Sequence, residues 1–245
     1  MSATDGSAHA DESNSPGGRG QTKPPRCGGF LTMLRAALVL LTFCTVLTGI
    51  VYPLAITGIA RVLFPWQAAG SLINRKGQPT LHRRSAIGSA QIGQYFNQPW
   101  YFWPRPSATS PVPYNAAASG GSNLGPTNPT LIAHIKQRVQ ALRNADIGNS
   151  APIPVDLLTS SASGLDPDES VAAAYYQIPR IARLRRMSPR RLKKLIARYT
   201  SGPQFGLLGE KVVNVLELNL ALDRAAPYPP APGASFNHLR RATVR

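Results

Sequence analysis

The strongest pattern along the chain is one long, uninterrupted run of apolar residues near its beginning. Residues 36–60 include no charged side chain, and Arg35 and Arg61 close the run at either end. A helix needs roughly 20 residues to cross the hydrocarbon core of a bilayer, and this run is longer. The pattern predicts one transmembrane helix over residues 31–63, after a disordered tail over residues 1–30.

After this run the pattern changes to shorter apolar stretches, separated by segments rich in glycine and proline. Residues 64–224 are predicted to form one soluble domain of mixed helices and strands, followed by a disordered tail over residues 225–245. The predicted fold class is therefore α+β, with a single N-terminal transmembrane helix before the domain.

Helices are predicted where a capping residue precedes apolar residues at helical spacing. The predicted helices begin at Asn128-Pro129, cover residues 172–186 with an interruption at Pro179, and begin again at Ser188-Pro189. Short strands are predicted at residues 93–96, 101–103 and 153–159. Residues 212–223 are interpreted as a short strand that passes into a helix.

The charge of the chain bears on its neighbours and on its orientation. A net charge of +16 favours anionic neighbours such as lipid headgroups, an acidic partner subunit or nucleic acid. Cations flank the apolar run on both sides, so charge alone hardly orients it. Long domains translocate largely regardless of charge, and the run exceeds the h-region of a cleaved signal peptide. We therefore expect a signal anchor with a cytoplasmic N-terminus and an extracytoplasmic domain.

Motifs for catalysis or metal binding are missing from the sequence. It contains no GxxxxGK[ST] phosphate loop, no DKTG motif with a phosphorylated aspartate, and no GxSxG or SxxK nucleophile pattern. The four histidines have no ligand-like spacing, and Cys27 and Cys44 are too far apart along one helix to pair. The carboxylates Asp156, Asp166, Asp168 and Glu169 are interpreted as helix caps. We therefore expect no metal, no covalently bound cofactor and no enzymatic activity of the chain by itself.

One glycine-rich loop could carry binding chemistry. It consists of Ser119, Gly120, Gly121, Ser122 and Asn123. Glycines can let backbone N–H groups converge on an anion such as a phosphate. The alternative interpretation is a tight loop after Pro113-Tyr114-Asn115, with no ligand.

The second candidate is a basic run on two predicted helices. Its members are Arg180, Arg183, Arg185, Arg186, Arg190, Arg191, Lys193, Lys194 and Arg198. The arrangement imitates a helix-turn-helix, in which the second helix reads bases. It is equally suited to lipid phosphates or to a solvated basic face, which is our preferred interpretation.

The apolar run itself is more than a hydrophobic anchor. Thr45 and Gly49 form a small-xxx-small pair, which lets transmembrane helices approach each other closely. Pro53 cannot donate to the carbonyl of Gly49, and a neighbouring helix or hydroxyl can satisfy such a group. We therefore expect the span to pack against other membrane helices.

Several distinctive segments follow one another in a fixed order along the chain. They are Tyr52-Pro53-Leu54, Phe64-Pro65-Trp66-Gln67-Ala68-Ala69-Gly70-Ser71-Leu72, Gly88-Ser89-Ala90-Gln91-Ile92-Gly93-Gln94, Tyr101-Phe102-Trp103-Pro104-Arg105-Pro106-Ser107-Ala108, Pro113-Tyr114-Asn115, Ser119-Gly120-Gly121-Ser122-Asn123-Leu124, Thr159-Ser160-Ser161-Ala162-Ser163-Gly164-Leu165-Asp166-Pro167, Gln177-Ile178-Pro179-Arg180 and residues 213–223. Taken together, they closely resemble the C subunit of the Kdp potassium-transporting ATPase over about residues 31–223. The chain departs from that family in its extended tails and in Asp168-Glu169, where His-Ile is more usual.

The resemblance implies a non-catalytic subunit of a bacterial inner-membrane complex for high-affinity potassium uptake. It implies two partners, a potassium-channel-like subunit and a hydrolytic P-type ATPase subunit. The subunit would stabilise their assembly and raise the ATP affinity of the hydrolytic one, with Ser119–Asn123 as a loop that could contact nucleotide or a partner. An extracytoplasmic domain, however, cannot touch cytoplasmic ATP, so either the coupling travels through the span or the orientation is the opposite of the expected one.

Two other functions stay open at this point. One is a membrane-anchored extracytoplasmic binding or scaffold module without a pump, and the other is a membrane-tethered DNA-binding regulator that would use the basic run. We favour the pump subunit, with lipid and the two pump subunits as partners and no nucleic acid.

Overall fold

A computed structural model describes residues 29–228, so the predictions for the two tails and for Cys27 lie largely outside the described residues. A single continuous helix covers Phe30–Leu63 and has the length and composition to cross a membrane. It consists of α1 (Phe30–Val46), a π-helical turn (Leu47–Val51) and α2 (Tyr52–Leu63). No residue of this helix is buried within the chain. The prediction of one candidate span is confirmed.

The π turn lies next to the proline of the span. The N–H of Tyr52 donates to the carbonyl of Leu47, one residue further back than in an α-helix. Pro53 has no N–H, so it cannot donate to the carbonyl of Thr48 in π register or to that of Gly49 in α register. The hydroxyl of Thr48 bonds within its own helix, to the carbonyl of Cys44 at 2.7 Å. Pro53 therefore withholds one backbone donor from this turn, at the carbonyl of Thr48 or of Gly49.

The domain after the span mixes helices with two small antiparallel sheets, which confirms the predicted fold class. Its helices are α3 (Pro65–Ala68), α4 (Pro129–Ala145), α5 (Val171–Tyr176), α6 (Ile178–Arg185), α7 (Pro189–Arg198) and α8 (Val215–Ala225), with 3-10 turns at Ala116–Ala118 and Val155–Leu157. Its strands are β1 (Leu72–Asn74), β2 (Ala86–Ser89), β3 (Asp168–Ser170), β4 (Thr200–Ser201) and β5 (Val212–Asn214). β1 pairs with β2, and β5 lies between β3 and β4.

Capping residues place the helices largely where the sequence predicts them. The side chain of Asn128 accepts from Thr130 N–H before α4, and that of Ser188 accepts from Arg191 N–H before α7. Asn214, the last residue of β5, caps α8, so residues 212–223 are a short strand that passes into a helix, as predicted. The second predicted helix is two helices, and its break falls at Gln177 because Pro179 is accommodated in the first turn of α6.

Other predictions of secondary structure are wrong. Residues 93–96 and 101–103 form no strand, and residues 153–159 contain a 3-10 turn instead of one. Asp168 and Glu169 belong to strand β3, so they are not helix caps, and Ser170 caps α5 in their place. The folded region also continues beyond residue 224, since Ala225 ends α8 and the ring of Tyr228 stacks on Trp100 at 4.9 Å.

The hydrophobic core is built around α8, most of whose residues are buried. Leu218 and Leu222 of α8 pack in one cluster with Ile181 of α6, with Leu192 and Ile196 of α7, and with residues from the strands. A smaller cluster joins α4 to α5 through Leu142, Leu157, Ala173 and Tyr176. This core fixes α6, α7 and the loops around them relative to each other.

An aromatic segment, residues 99–103, begins in a turn and crosses this core without a partner strand. The side chain of Asn219 accepts from Phe102 N–H and donates to Phe102 C=O, both at 2.9 Å. Gln177 does the same for Trp103, at 2.8 and 3.1 Å. Side chains thus replace the ladder of a sheet and satisfy the buried peptide groups. This is the physical reason why the predicted strand at residues 101–103 is wrong.

Candidate functional site

The glycine loop, residues 119–123, is an exposed segment that packs against a second loop, residues 161–164. It follows the 3-10 turn Ala116–Ala118, whose first N–H groups are capped by the side chain of Asn115. Gly120 N–H and the Ser119 hydroxyl both donate to the carbonyl of Ser163, at 2.9 and 3.1 Å. One of the N–H groups that a phosphate would need is therefore already bonded within the domain.

The close approach of the two loops explains why residues 121 and 164 are glycines, but it does not explain the glycine at position 120. A Cβ on Gly121 would lie 2.9 Å from the carbonyl oxygen of Ala162, and one on Gly164 would lie 2.7 Å from that of Gly120. Gly164 also has a φ of +66°, which favours glycine. A Cβ on Gly120 would meet nothing within 4 Å. Gly121 and Gly164 thus serve packing, whereas Gly120 leaves open space at the surface.

Hydroxyl groups and one ion pair surround the glycine loop. The hydroxyl of Ser107 donates to Gly164 C=O at 2.7 Å and accepts from Tyr114 N–H at 2.9 Å. Arg105 pairs with Asp166 at 3.0 Å, and both side chains are partly exposed. The hydroxyl of Tyr114 donates to the carbonyl of Arg105, and burial raises the pKa of Tyr114 above its usual range. The result is a firmly held polar surface in which Arg105 is already paired with Asp166.

The predicted packing residues of the span are all exposed in the isolated chain. Thr45, Gly49 and Pro53 are exposed, and a Cβ on Gly49 would meet nothing within 4 Å. The chain by itself therefore gives no reason for a glycine at this position. Whether these residues contact another membrane helix stays a prediction.

The basic run is not one continuous solvated face, as the sequence suggested. Arg180 and Arg185 are buried, and they hold the aromatic segment by donating to the carbonyls of Tyr101 at 3.0 Å and Trp100 at 2.9 Å. Arg185 also pairs with Asp223 at 2.8 Å, and Arg183 pairs with Asp146 at 3.1 Å. The remaining cations of the run are exposed, and most of them lie on α7.

Gln177 and Asn219 have a central structural role that the sequence did not reveal. Both are amides buried among apolar neighbours, at 1 % exposure each. The available signal was a polar residue in an apolar run, since Asn219 stands between Leu218 and Leu220 on α8. Within residues 29–228 no group of three or more His, Cys, Asp and Glu side chains could hold a metal ion.

A candidate membrane span followed by a small α+β domain is the architecture of a membrane-anchored protein. The family described as "K+-transporting ATPase, c chain" (KdpC) matches residues 34–224. The chain belongs to this family, and it is therefore a subunit of a K+-transporting ATPase complex. This confirms the resemblance seen in the sequence, together with the general function in potassium transport.

Curated relatives agree with this assignment along nearly their whole length. The chain is 57 % identical over 194 residues to the "Potassium-transporting ATPase KdpC subunit" of Variovorax paradoxus (strain S110), covering 79 % of this chain and 97 % of the relative. It is 57 % identical over 201 residues to that of Polaromonas naphthalenivorans (strain CJ2), covering 82 % and 98 %. It is 58 % identical over 189 residues to that of Methylococcus capsulatus (strain ATCC 33009 / NCIMB 11132 / Bath), covering 77 % and 96 %.

Proposed function

We propose that this subunit hydrolyses no ATP itself, holds the potassium pump together and raises the ATP affinity of the hydrolytic subunit. Its partners are that subunit and a potassium-channel-like subunit. It lies in the bacterial inner membrane with a cytoplasmic N-terminus and an extracytoplasmic domain. The observation that carries this proposal is the form of the span, a fully exposed helix with a small-residue face and a π turn at its middle.

The span supports a role in assembly for two physical reasons. Thr45 and Gly49 lie four residues apart, and no contact within the chain fills the space at Gly49. Pro53 withholds a backbone donor from the carbonyl of Thr48 or of Gly49, and within a bilayer water is not available to replace it. A neighbouring helix satisfies both requirements, because it fills the space and can offer a hydroxyl or amide donor.

The same span is the route by which the subunit would influence ATP binding. Cytoplasmic ATP does not reach an extracytoplasmic domain, and Gly120 N–H already donates to Ser163 C=O. We therefore assign the glycine loop to contact with a partner subunit, not with the nucleotide. The effect on ATP affinity then arises because the docked span favours one arrangement of the hydrolytic subunit.

A bulky residue at Gly49 tests the proposal. In the assembled complex, Gly49→Leu should reduce co-purification of the subunit and raise the KM for ATP toward that of a complex without it. Ala36→Leu is the matched control, since residue 36 lies nine positions before Thr45 and hence on the opposite face of an α-helix. It places the same leucine side chain on the opposite face and should change neither quantity.

The outcomes separate assembly from a direct contact with nucleotide. Unchanged co-purification and unchanged KM with Gly49→Leu would refute docking through this face. Gly120→Ala fits without a clash, so it should leave the stability of the domain unaltered. A raised KM for ATP in a fully assembled Gly120→Ala complex would instead show that the glycine loop meets the nucleotide, contrary to the proposal.

A further inference from the structure

The hairpin between β4 and β5 presents three large apolar side chains to solvent. Phe205 is 93 % exposed, Leu207 is 86 % exposed and Leu208 is 63 % exposed. Isolated exposed apolar residues are ordinary, but a cluster at the tip of a loop marks an interaction surface. We call residues 204–208 the apolar tip.

The fold of the hairpin keeps this tip in one shape. Gln204 N–H donates to Leu208 C=O at 2.8 Å, and Leu208 N–H donates to Gln204 C=O at 2.9 Å. Phe205 and Gly206 adopt positive φ values of 54° and 74° between them. A closed turn with two left-handed residues displays its side chains outward and cannot fold them back onto the core.

A strongly basic helix leads directly into this hairpin. No Asp or Glu occurs between Glu169 and Glu210. α7 carries exposed Arg190, Lys193 and Lys194 at helical neighbour spacing. Within residues 29–228 none of these three cations forms an ion pair. Thr200 and Ser201 of β4 then connect α7 to the apolar tip.

We propose that the exposed cations of α7 and the apolar tip together dock on a bilayer surface that contains anionic lipid. The cations would bind headgroup phosphates, while Phe205, Leu207 and Leu208 would enter the boundary between headgroups and acyl chains. Basic residues beside exposed Phe and Leu are the composition of interfacial membrane-binding segments. The span holds the bilayer at a high effective concentration, so a weak contact is sufficient.

Charge is the reason to choose lipid over another protein as the occupant. Three unpaired cations on one helix face complement an anionic headgroup layer without any specific hydrogen-bond geometry. The same cations beside a potassium entry path would repel K⁺, and this cost vanishes when they face lipid. The inference does not depend on which leaflet faces the domain, so it is independent of the proposed orientation.

An environment-sensitive dye on the apolar tip tests the inference in the full chain. The dye is attached to Leu207→Cys after Cys27→Ser and Cys44→Ala, and the chain is placed in nanodiscs of phosphatidylcholine, alone or mixed with phosphatidylglycerol. We expect a blue-shifted emission, with quenching by a bromolipid, only when phosphatidylglycerol is present. High salt should reverse it, because the Debye length falls from about 8 Å to about 3 Å at 1 M.

Charge reversal identifies the residues responsible. The triple variant Arg190→Glu, Lys193→Glu and Lys194→Glu should abolish the shift, since each cation near an anionic surface contributes roughly fivefold to the docking equilibrium. Arg83→Glu, Arg84→Glu and Lys136→Glu, all at exposed positions, make the same change in net charge and should preserve the shift. The circular dichroism spectra of both triple variants are compared with that of the parent chain.

Three results would contradict the inference. An equal shift in phosphatidylcholine alone would overturn the inference, as would a shift that survives high salt and reversal of the three α7 cations. Emission that changes only when the other pump subunits are added would identify this surface as a protein contact and would also overturn it. None of these results bears on the Gly49 experiment, so failure here leaves the proposed function untouched.

Discussion

Glu169 lies in the core of the domain on strand β3, where burial of a charged carboxylate costs free energy. It is 1 % exposed, and its Oε2 accepts from Gln177 Nε2 at 3.0 Å. Its Oε1 has no hydrogen-bond partner among the described residues. Burial raises the pKa of Glu169 well above the usual 4.5, and the nearby charge of Asp156 raises it further, while Arg180 and Gln177 oppose the shift.

We predict that Glu169 makes the domain less stable as pH rises. Above about pH 4.5 the unfolded chain releases the proton of Glu169 while the folded chain retains it. The free energy of unfolding therefore falls with pH until the raised folded pKa is passed, by up to about 1.4 kcal/mol per pH unit. Glu169→Gln should flatten this dependence and exceed the parent in stability at pH 8, as measured by denaturant unfolding of the full chain in detergent.

The control for Glu169 is a carboxylate at the surface. Glu210 is exposed in the β4–β5 hairpin, so Glu210→Gln removes a carboxylate from the surface and leaves the buried carboxyl group of the core in place. It should leave the slope of stability against pH as it is in the parent chain. Some slope should also remain in Glu169→Gln, because burial raises the pKa values of Asp168 and Glu217 in the same direction. A parent-like slope in Glu169→Gln would contradict the prediction.

Residue roles differ in how far the sequence could reveal them. Asn128 and Ser188 cap helices through neighbours two or three positions away, so their roles are readable from local spacing. Asn219 bonds Phe102 across 117 positions, and Gln177 bonds Trp103 across 74. Nothing in the local pattern encodes such partners. The basic run was misread for the same reason, because Arg180 and Arg185 are held by a distant aromatic segment.

At the scale of elements, two loops of the domain, one beside the candidate site and one after α4, depend on glycines of different kinds. Gly164 has a φ of +66° and touches both Gly120 and Thr109, whereas Gly148 has a φ of +91° with open space around it. Both glycines adopt a left-handed backbone conformation, but only at Gly164 would a Cβ also clash with neighbouring atoms. The pair therefore separates the cost of backbone strain from the cost of a steric clash.

We predict that Gly164→Ala costs more stability than Gly148→Ala. Gly148→Ala should lose about 1 kcal/mol from its left-handed φ. Gly164→Ala should lose a further 1–3 kcal/mol, roughly, because its Cβ must displace backbone atoms of the glycine loop. Thermal unfolding measures the total, and hydrogen exchange of Gly120 N–H reports whether its bond to Ser163 has opened. Equal losses in the two variants would show that the loops are not tightly packed.

Element types were predictable where local chemistry decides them, and not where the core does. The span, α4, α7 and the transition from β5 to α8 each follow from apolar spacing and a cap. Residues 101–103 have the aromatic composition of a strand, but side chains from α5–α6 and α8 take the hydrogen bonds that a neighbouring strand would form. The length and place of each element were thus easier to predict than its partners.

At the scale of the whole molecule, the sequence predicts one span followed by an α+β region, and the structure has both. Cations flank the span at both ends, so charge favours neither orientation of the domain across the membrane. This orientation governs the role of the glycine loop. An extracytoplasmic loop can meet only partner subunits, lipid or ions, whereas a cytoplasmic loop could also meet ATP.

Cysteine labelling in intact cells decides the orientation. In a chain with Cys27→Ser and Cys44→Ala, the exposed Ser122 is replaced by cysteine, and a second variant carries Ser13→Cys before the span. We expect a membrane-impermeant maleimide to label the first variant from outside the cell and the second only after lysis. The loop would then be separated from cytoplasmic ATP by the bilayer, and an influence on ATP affinity would have to pass through the span. Labelling in the reverse pattern would return the glycine loop to the cytoplasm and make direct contact with nucleotide the better explanation.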